Sequence, residues 1–288
     1  MSSATLKSSY TTQLTGSRSA ASPVSDIPSH YIPQAMPIPS SAADRLIVAL
    51  DFDSADEAMK LVKELGDTVT FYKVGLQLFM GNGLDGIVRK LTDLRKKVFL
   101  DLKIDDTPRT VENAVRNMGI DGVQFFTLQG NGATARAAKA GRGDNEFPKF
   151  LQVTYLSSYD QSDIREVYHL DDSMPIDLDD WVVKRTEKII GSGCDGVIAS
   201  GSSVKRLRQY YPTAKDLLIV SPGIRPEGTS TDDHKRSMTP KEAILAGSDY
   251  LVVGRPIRKA ENPVEMAKSI QNEIAGALAE LKQRAAAI

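Results

Sequence analysis

From Arg45 onward the chain alternates between short, nearly continuous apolar runs and longer charged segments. The runs are residues 46–50, 69–74, 98–102, 122–128, 150–156, 196–199, 217–220 and 250–253, eight in all. They are β-branched and show little polar alternation, as parallel strands buried on both faces do. Between them, residues 55–65, 84–95, 110–118, 179–190 and 240–246 carry apolar side chains at three- and four-residue steps, the spacing of helices packed on a sheet. Ser54 before Ala-Asp-Glu and Thr239 before Pro-Lys-Glu read as helix N-caps. Residues 263–286 read as one long amphipathic helix. Eight strand–helix repeats predict an α/β fold of the (β/α)₈ TIM-barrel type over residues 45–288. A doubly wound open sheet is the competing architecture, and it calls for a Gly-x-Gly-x-x-Gly turn after an early strand. The first run leads instead into Leu50-Asp51-Phe52-Asp53-Ser54, without glycine.

Residues 1–44 lack this periodicity. They are rich in Ser, Thr, Ala and Pro and cannot bury enough surface to offset their ordering entropy, which predicts a disordered N-terminal arm. Its first 25 residues contain Lys7 and Arg18 but no acid, a weak transit-peptide character beside the plain-arm reading. No run approaches the roughly 18–20 apolar residues of a membrane span. The formal net charge is −1, so no global field recruits nucleic acid or an anionic membrane, and any bound anion needs a local site. A single cysteine, Cys194, rules out an intrachain disulfide and fits a reducing, cytoplasmic location. Its place just before an apolar run reads as packing.

Barrel enzymes place their chemistry where strands end and βα loops begin. Asp51 ends the first run, Lys73 lies in the second, Asp101-Leu102-Lys103 closes the third, and Asp106 follows it. One such charge is ordinarily a cap or a solvated loop residue. Two acids and two lysines in or beside buried runs are costly unless paired. Period-two geometry puts Asp101 and Lys103 on one side of their strand, where Asp51 and Lys73 can join them in an alternating network. In that network Lys103 suits a general acid beside a developing carbanion. The three histidines, His30, His169 and His234, are isolated, so no cysteine–histidine zinc cluster is expected, and no Gly-x-Ser-x-Gly is present.

The late runs carry a different signal. Ser-Pro222-Gly223-Ile-Arg225-Pro-Glu-Gly follows the seventh run, and Gly254-Arg255-Pro the eighth. Loops at these positions are the usual phosphate site of the fold, with backbone N–H groups and a guanidinium as ligands. Arg255 is the stronger candidate. Arg225 reads equally well as a surface residue, and the competing reading of both glycines is that they merely make tight turns.

Together, Val-Ala-Leu-Asp51, Phe-Tyr-Lys73-Val-Gly, Phe-Leu-Asp101-Leu-Lys103-Ile-Asp-Asp106-Thr-Pro, Ser-Pro-Gly-Ile-Arg-Pro-Glu-Gly and Val-Val-Gly-Arg255-Pro resemble the orotidine 5'-monophosphate decarboxylase family over about residues 45–275. The resemblance implies conversion of orotidine 5'-monophosphate to uridine 5'-monophosphate and CO₂, the last step of de novo UMP biosynthesis, without metal or cofactor. Lys103 would protonate C6, and Asp101 would face the substrate carboxylate. Lys73 and Asp51 would contact the ribose. Asp106, Thr107 and Thr110 would reach into the partner's site in a homodimer. Ser157 would recognise the pyrimidine. Gly254 and Arg255 would grip the phosphate, and the segment between Gly223 and Thr239, with Pro222 at its root and His234 within it, would close as a lid.

The chain departs from the family pattern at four places. Asp105 stands where His is common, Thr107 where Ile is usual, Gln129 where a His is common, and His234 where a Gln bridges phosphate and base. Asp105 also leaves open whether it or Asp106 partners Lys103. The Mg²⁺-dependent 3-keto-gulonate 6-phosphate decarboxylases and hexulose phosphate synthases share the Asp-x-Lys-x-x-Asp pattern. They need an acid where Lys73 stands, and a lysine there repels Mg²⁺. A non-catalytic phosphate-binding barrel is the remaining alternative, and the intact charged set argues against it.

Overall fold

Strands β1 (Leu46–Ala49), β2 (Phe71–Gly75), β3 (Lys97–Ile104), β4 (Val123–Leu128), β5 (Lys149–Val153), β6 (Gly196–Ile198), β7 (Leu218–Ser221) and β8 (Tyr250–Val253) are all parallel and close into a barrel in sequence order. Around them run α1 (Ala42–Arg45), α2 (Ala55–Leu65), α3 (Leu76–Asn82), α4 (Leu84–Asp93), α5 (Pro108–Met118), α6 (Gly132–Arg142), α7 (Gln161–Tyr168), α8 (Leu178–Ile190), α9 (Ser202–Tyr210), α10 (Pro240–Ala246), α11 (Arg255–Arg258) and α12 (Pro263–Ala286). This is the (β/α)₈ barrel that the alternating pattern predicts. The computed structural model describes residues 41–82, 84–118, 122–156, 158–171, 173, 175–213, 215–227 and 237–287. Ser157, His234, most of the arm and the middle of the predicted lid lie outside the described residues. Among the described residues, no helix is long and apolar enough to cross a membrane.

The strands read as unbroken apolar runs because both faces are buried. Leu46, Val48, Tyr72, Val98, Leu100 and Leu251 face outward and pack with helix residues such as Val62, Ile87, Val111 and Ile270. Ile47, Phe71, Phe99, Phe125, Leu151, Leu218 and Tyr250 point inward. Phe125 sits 4.9 Å from Tyr250 and 5.8 Å from Phe99, both edge-on. This aromatic layer plugs the barrel. Two residues further along their strands, Phe71, Phe99 and Phe125 give way to Lys73, Asp101 and Thr127, so the polar layer lies directly on the plug. The caps form as expected: Ser54 accepts the Glu57 N–H, and Thr239 and Glu242 make a reciprocal capping box behind Pro240.

At the opposite end, two matching contacts tie the strands. Asp195, just before β6, accepts the Phe150 N–H of β5 at 2.8 Å and an Arg142 N–H from α6 at 2.8 Å. Asp249, just before β8, accepts the Ile219 N–H of β7 at 2.8 Å and an Arg208 N–H from α9 at 2.6 Å.

Several boundaries differ from the sequence expectation, three of them by more than fraying at an end. Residues 42–44, assigned to the arm, form α1: Ser41 caps it, Asp44 pairs with Lys97 at 3.0 Å, and buried Arg45 donates to the Asp249 carbonyl. A single turn is too short to show a helical period. The fifth strand ends at Val153, and residues 154–156 turn away to line a cleft. The third strand runs on to Ile104, but its pairing with β4 breaks between Leu100 and Ile104.

Candidate active site

The barrel mouth holds a chain of four charges. The Lys73 ammonium donates to Asp51 Oδ1 at 2.8 Å and lies 3.4 Å from Asp101 Oδ2. The Lys103 ammonium donates to Asp101 Oδ1 at 2.8 Å. The order is therefore Asp51–Lys73–Asp101–Lys103, as the strand-end charges suggest. Lys73 and Asp101 are the sheltered members, with side chains 11% and 15% exposed, while Asp51 and Lys103 stand at 36% and 37%. Burial works against the Lys73 charge, but Asp101 and then Asp51 outweigh it and hold the ammonium above its ordinary range. Burial likewise pushes the Asp101 carboxyl up, and Lys73 with Lys103 outweigh that and hold it below its ordinary range.

The backbone makes this fit possible in two places. A Cβ at Gly75 would lie 2.9 Å from the Lys73 ammonium, so glycine leaves that ammonium its room. Lys103 has φ +51°, in the left-handed region, inside the stretch where β3 and β4 lose register. Asp101 and Lys103 meet, but not through the regular two-residue alternation that predicts it.

Two residues that the sequence reading passes over support the chain. Thr127, fully buried on β4, accepts the Lys103 backbone N–H at 2.9 Å and donates to Asp101 Oδ1 at 3.0 Å. The inward alternation after Phe125 is the signal that could have found it. Arg258 donates to the Asp51 carbonyl and stacks 5.0 Å over the Phe52 ring, holding the loop that carries Asp51. No sequence spacing links residues 207 positions apart.

Lys73, Asp101 and Lys103 form one wall of a cleft of about 270 Å³. Val153, Leu156, Val182, Ile198 and Ala199 make the opposite wall apolar, and Pro222 and Ser158 complete the rim. Such a cleft takes a flat, partly apolar molecule against a line of fixed charge.

The remaining predicted residues are placed as follows. Asp106, Thr107 and Thr110 are exposed at the start of α5. Asp106 accepts the Thr107 N–H at 2.6 Å, and the two threonine hydroxyls lie 3.0 Å apart. Asp106 takes no part in the four-charge chain. Asp105 turns to Thr134, whose hydroxyl donates to it at 3.1 Å, so Asp105 is not the partner of Lys103 either. Gly223 has φ +75°, which demands glycine after Pro222. Gly254 lies beside the Asp51 carboxylate, and Arg255 opens α11 directly after it, half-buried. Arg225 is 6% exposed and donates to the Ile224 carbonyl, so the surface reading of that residue is corrected. Ile224 and Met238 pair across the base of the predicted lid. Gln129 anchors backbone: its N–H donates to Ile104 and its carbonyl accepts from Arg185.

Fold and site define a (β/α)₈-barrel protein with an alternating acid–lysine chain at the C-terminal mouth. The family model described as "Orotidine 5'-phosphate decarboxylase / HUMPS family" matches residues 44–270. The orotidine 5'-phosphate decarboxylase of Methylococcus capsulatus is 44% identical over 239 residues, covering 83% of this chain and 94% of the relative. That of Nitrobacter winogradskyi is 44% identical over 237 residues, covering 82% and 95%. The crystal structure of orotidine 5'-phosphate decarboxylase from Lactobacillus acidophilus superposes with a TM-score of 0.67 at 35% identity, covering 80% of this chain and 98% of that one. The chain belongs to the orotidine 5'-phosphate decarboxylase / HUMPS family.

Proposed function

We propose that this chain decarboxylates orotidine 5'-monophosphate to uridine 5'-monophosphate and CO₂, the closing step of UMP biosynthesis. The observation that carries the reading is the Asp51–Lys73–Asp101–Lys103 chain, whose Lys73, Asp101 and Lys103 line the cleft. The C6–carboxylate bond breaks and leaves its electron pair on C6. The Lys103 ammonium stabilises that charge and delivers its proton to C6, while CO₂ departs. Asp101, pinned by two lysines, faces the substrate carboxylate and keeps the Lys103 ammonium aimed through their 2.8 Å contact. Lys73 and Asp51 lie where a ribose can be hydrogen-bonded. Gly254 and Arg255 hold the phosphate, with Pro222, Gly223 and His234 on the closing segment. Binding of that remote, non-reacting group supplies energy to the chemical step. Ser157 reads the pyrimidine.

Asp106, Thr107 and Thr110 act across a homodimer interface. Their exposure, and the separation of Asp106 from the charge chain of its own subunit, support this placement. The single cysteine suits a cytoplasmic enzyme.

The matching family model also covers the metal-dependent branch, so the choice between the two rests on the site. The Lys73 ammonium lies between Asp51 and Asp101, where a Mg²⁺ ion would need those carboxylates to itself. The residues do not fit the metal. The test is loss of orotidine 5'-monophosphate absorbance in excess EDTA. Full turnover is expected, and turnover only on adding Mg²⁺ would sink the reading.

A further inference from the structure

The four-charge chain works only if one ammonium and one carboxylate hold fixed positions at a point where the strand is irregular. Lys103 combines a left-handed backbone with a break in β3–β4 pairing, so the ladder does not hold its N–H. A buried N–H without a partner is costly, and the strand would relax toward regular geometry. Thr127 supplies that partner from the neighbouring strand.

We infer that Thr127 is a positioning residue of the decarboxylation, locking Lys103 and Asp101 into one ring through its hydroxyl. The polarity of the ring is forced. A backbone N–H can only donate, so at 2.9 Å the Thr127 oxygen accepts from Lys103. An ionised carboxylate can only accept, so at 3.0 Å the Thr127 proton goes to Asp101 Oδ1. The same Oδ1 receives the Lys103 ammonium at 2.8 Å. The ring therefore runs from the Lys103 N–H through Thr127 and Asp101 back to the Lys103 side chain. It ties the lysine's backbone and its ammonium to one carboxylate oxygen and leaves Oδ2 toward Lys73. Thr127 is fully buried. As a β-branched residue it holds its hydroxyl in a narrow set of rotamers. Small displacements of a proton donor are costly in rate, because the bound geometry must already be close to that of reaction. Thr127 does not itself line the cleft, so its effect falls on kcat rather than on substrate binding.

The inference rests on the decarboxylase reading. Thr127→Val keeps the shape and deletes the hydroxyl, and Thr127→Ser restores it. In steady-state assays with orotidine 5'-monophosphate, Thr127→Val is expected to lower kcat by about 10- to 100-fold with KM changed less than about threefold. The acid limb of its kcat–pH profile should move to higher pH, because Asp101 loses a donor that favours its charged form. Thr127→Ser should recover most of the rate and the wild-type limb. If Thr127→Val does not fold, Thr127→Ala, which asks for no extra space, replaces it in the same comparison. Unchanged kcat and pH limb in the hydroxyl-less variant, or a serine variant no better than it, would overturn the inference while leaving the decarboxylase reading intact. An inactive wild type would overturn both.

Discussion

In the proposed reaction Arg255 binds the substrate phosphate without touching the reacting atoms. It opens α11 beside Gly254, next to the Asp51 end of the charge chain. Charge-assisted hydrogen bonds contribute about 1.5–3 kcal/mol, so Arg255→Ala should raise KM for orotidine 5'-monophosphate by about 10- to 100-fold. An unchanged KM would remove Arg255 from the phosphate site. Asp101 and Lys73 make a second residue-scale prediction, on stability against pH. The folded state holds Asp101 below its ordinary 3.8, so the unfolded chain binds the extra proton first as pH falls. Its contribution is full above that value and is lost as pH falls through the depressed folded value. Lys73 is held above its ordinary 10.5, so its contribution is full below that and lost as pH rises through the folded value. Urea unfolding should show the loss below pH 3.8 in the wild type and a weaker one in Asp101→Asn. Equal slopes would contradict the pairing.

The elements owe their positions to both ends of the barrel. At the mouth, β3 and β4 give up regular pairing so that Lys103 can turn back on Asp101. At the other end, Asp195 and Asp249 each clamp a strand amide and a helix arginine. The clamps keep the strands in register at the end that carries no chemistry. Asp195→Ala would strand the buried Arg142 guanidinium and the Phe150 N–H, a loss of about 3–5 kcal/mol. Chemical denaturation should read that loss with kcat on the surviving folded protein near the wild-type value. A change under about 1 kcal/mol, the range of exposed pairs, would mean that the clamp is only a surface contact.

At the scale of the whole molecule, the proposed homodimer makes a prediction of its own. If Asp106 acts across a dimer interface, Lys103→Ala and Asp106→Ala subunits are each defective as homodimers. Each hybrid dimer carries one site with both residues intact. Mixing the two purified variants under conditions of subunit exchange should therefore restore turnover. No recovery, with exchange verified by mass spectrometry, would place Asp106 outside the shared site.

The strand runs, the helices α2, α4, α5, α8, α10 and α12 and the charged strand ends were legible because they depend on local physics. Burial on both faces writes continuous apolar runs, helical packing writes a 3.6-residue period, and an ion in a buried run must be paired. Those rules determined the barrel and brought Asp51, Lys73, Asp101 and Lys103 together in advance. What only the tertiary structure decided depends on neighbours distant in sequence. Thr127 reaches Lys103 across a register break, and Arg258 holds Asp51 from 207 positions away. Arg225 is drawn inside by the pairing of Ile224 with Met238. Asp105 turns to Thr134 and leaves Asp106 facing outward. A sequence encodes which groups must find partners. The closed barrel chooses which partner each one finds, because only closure fixes which strand ends face one another.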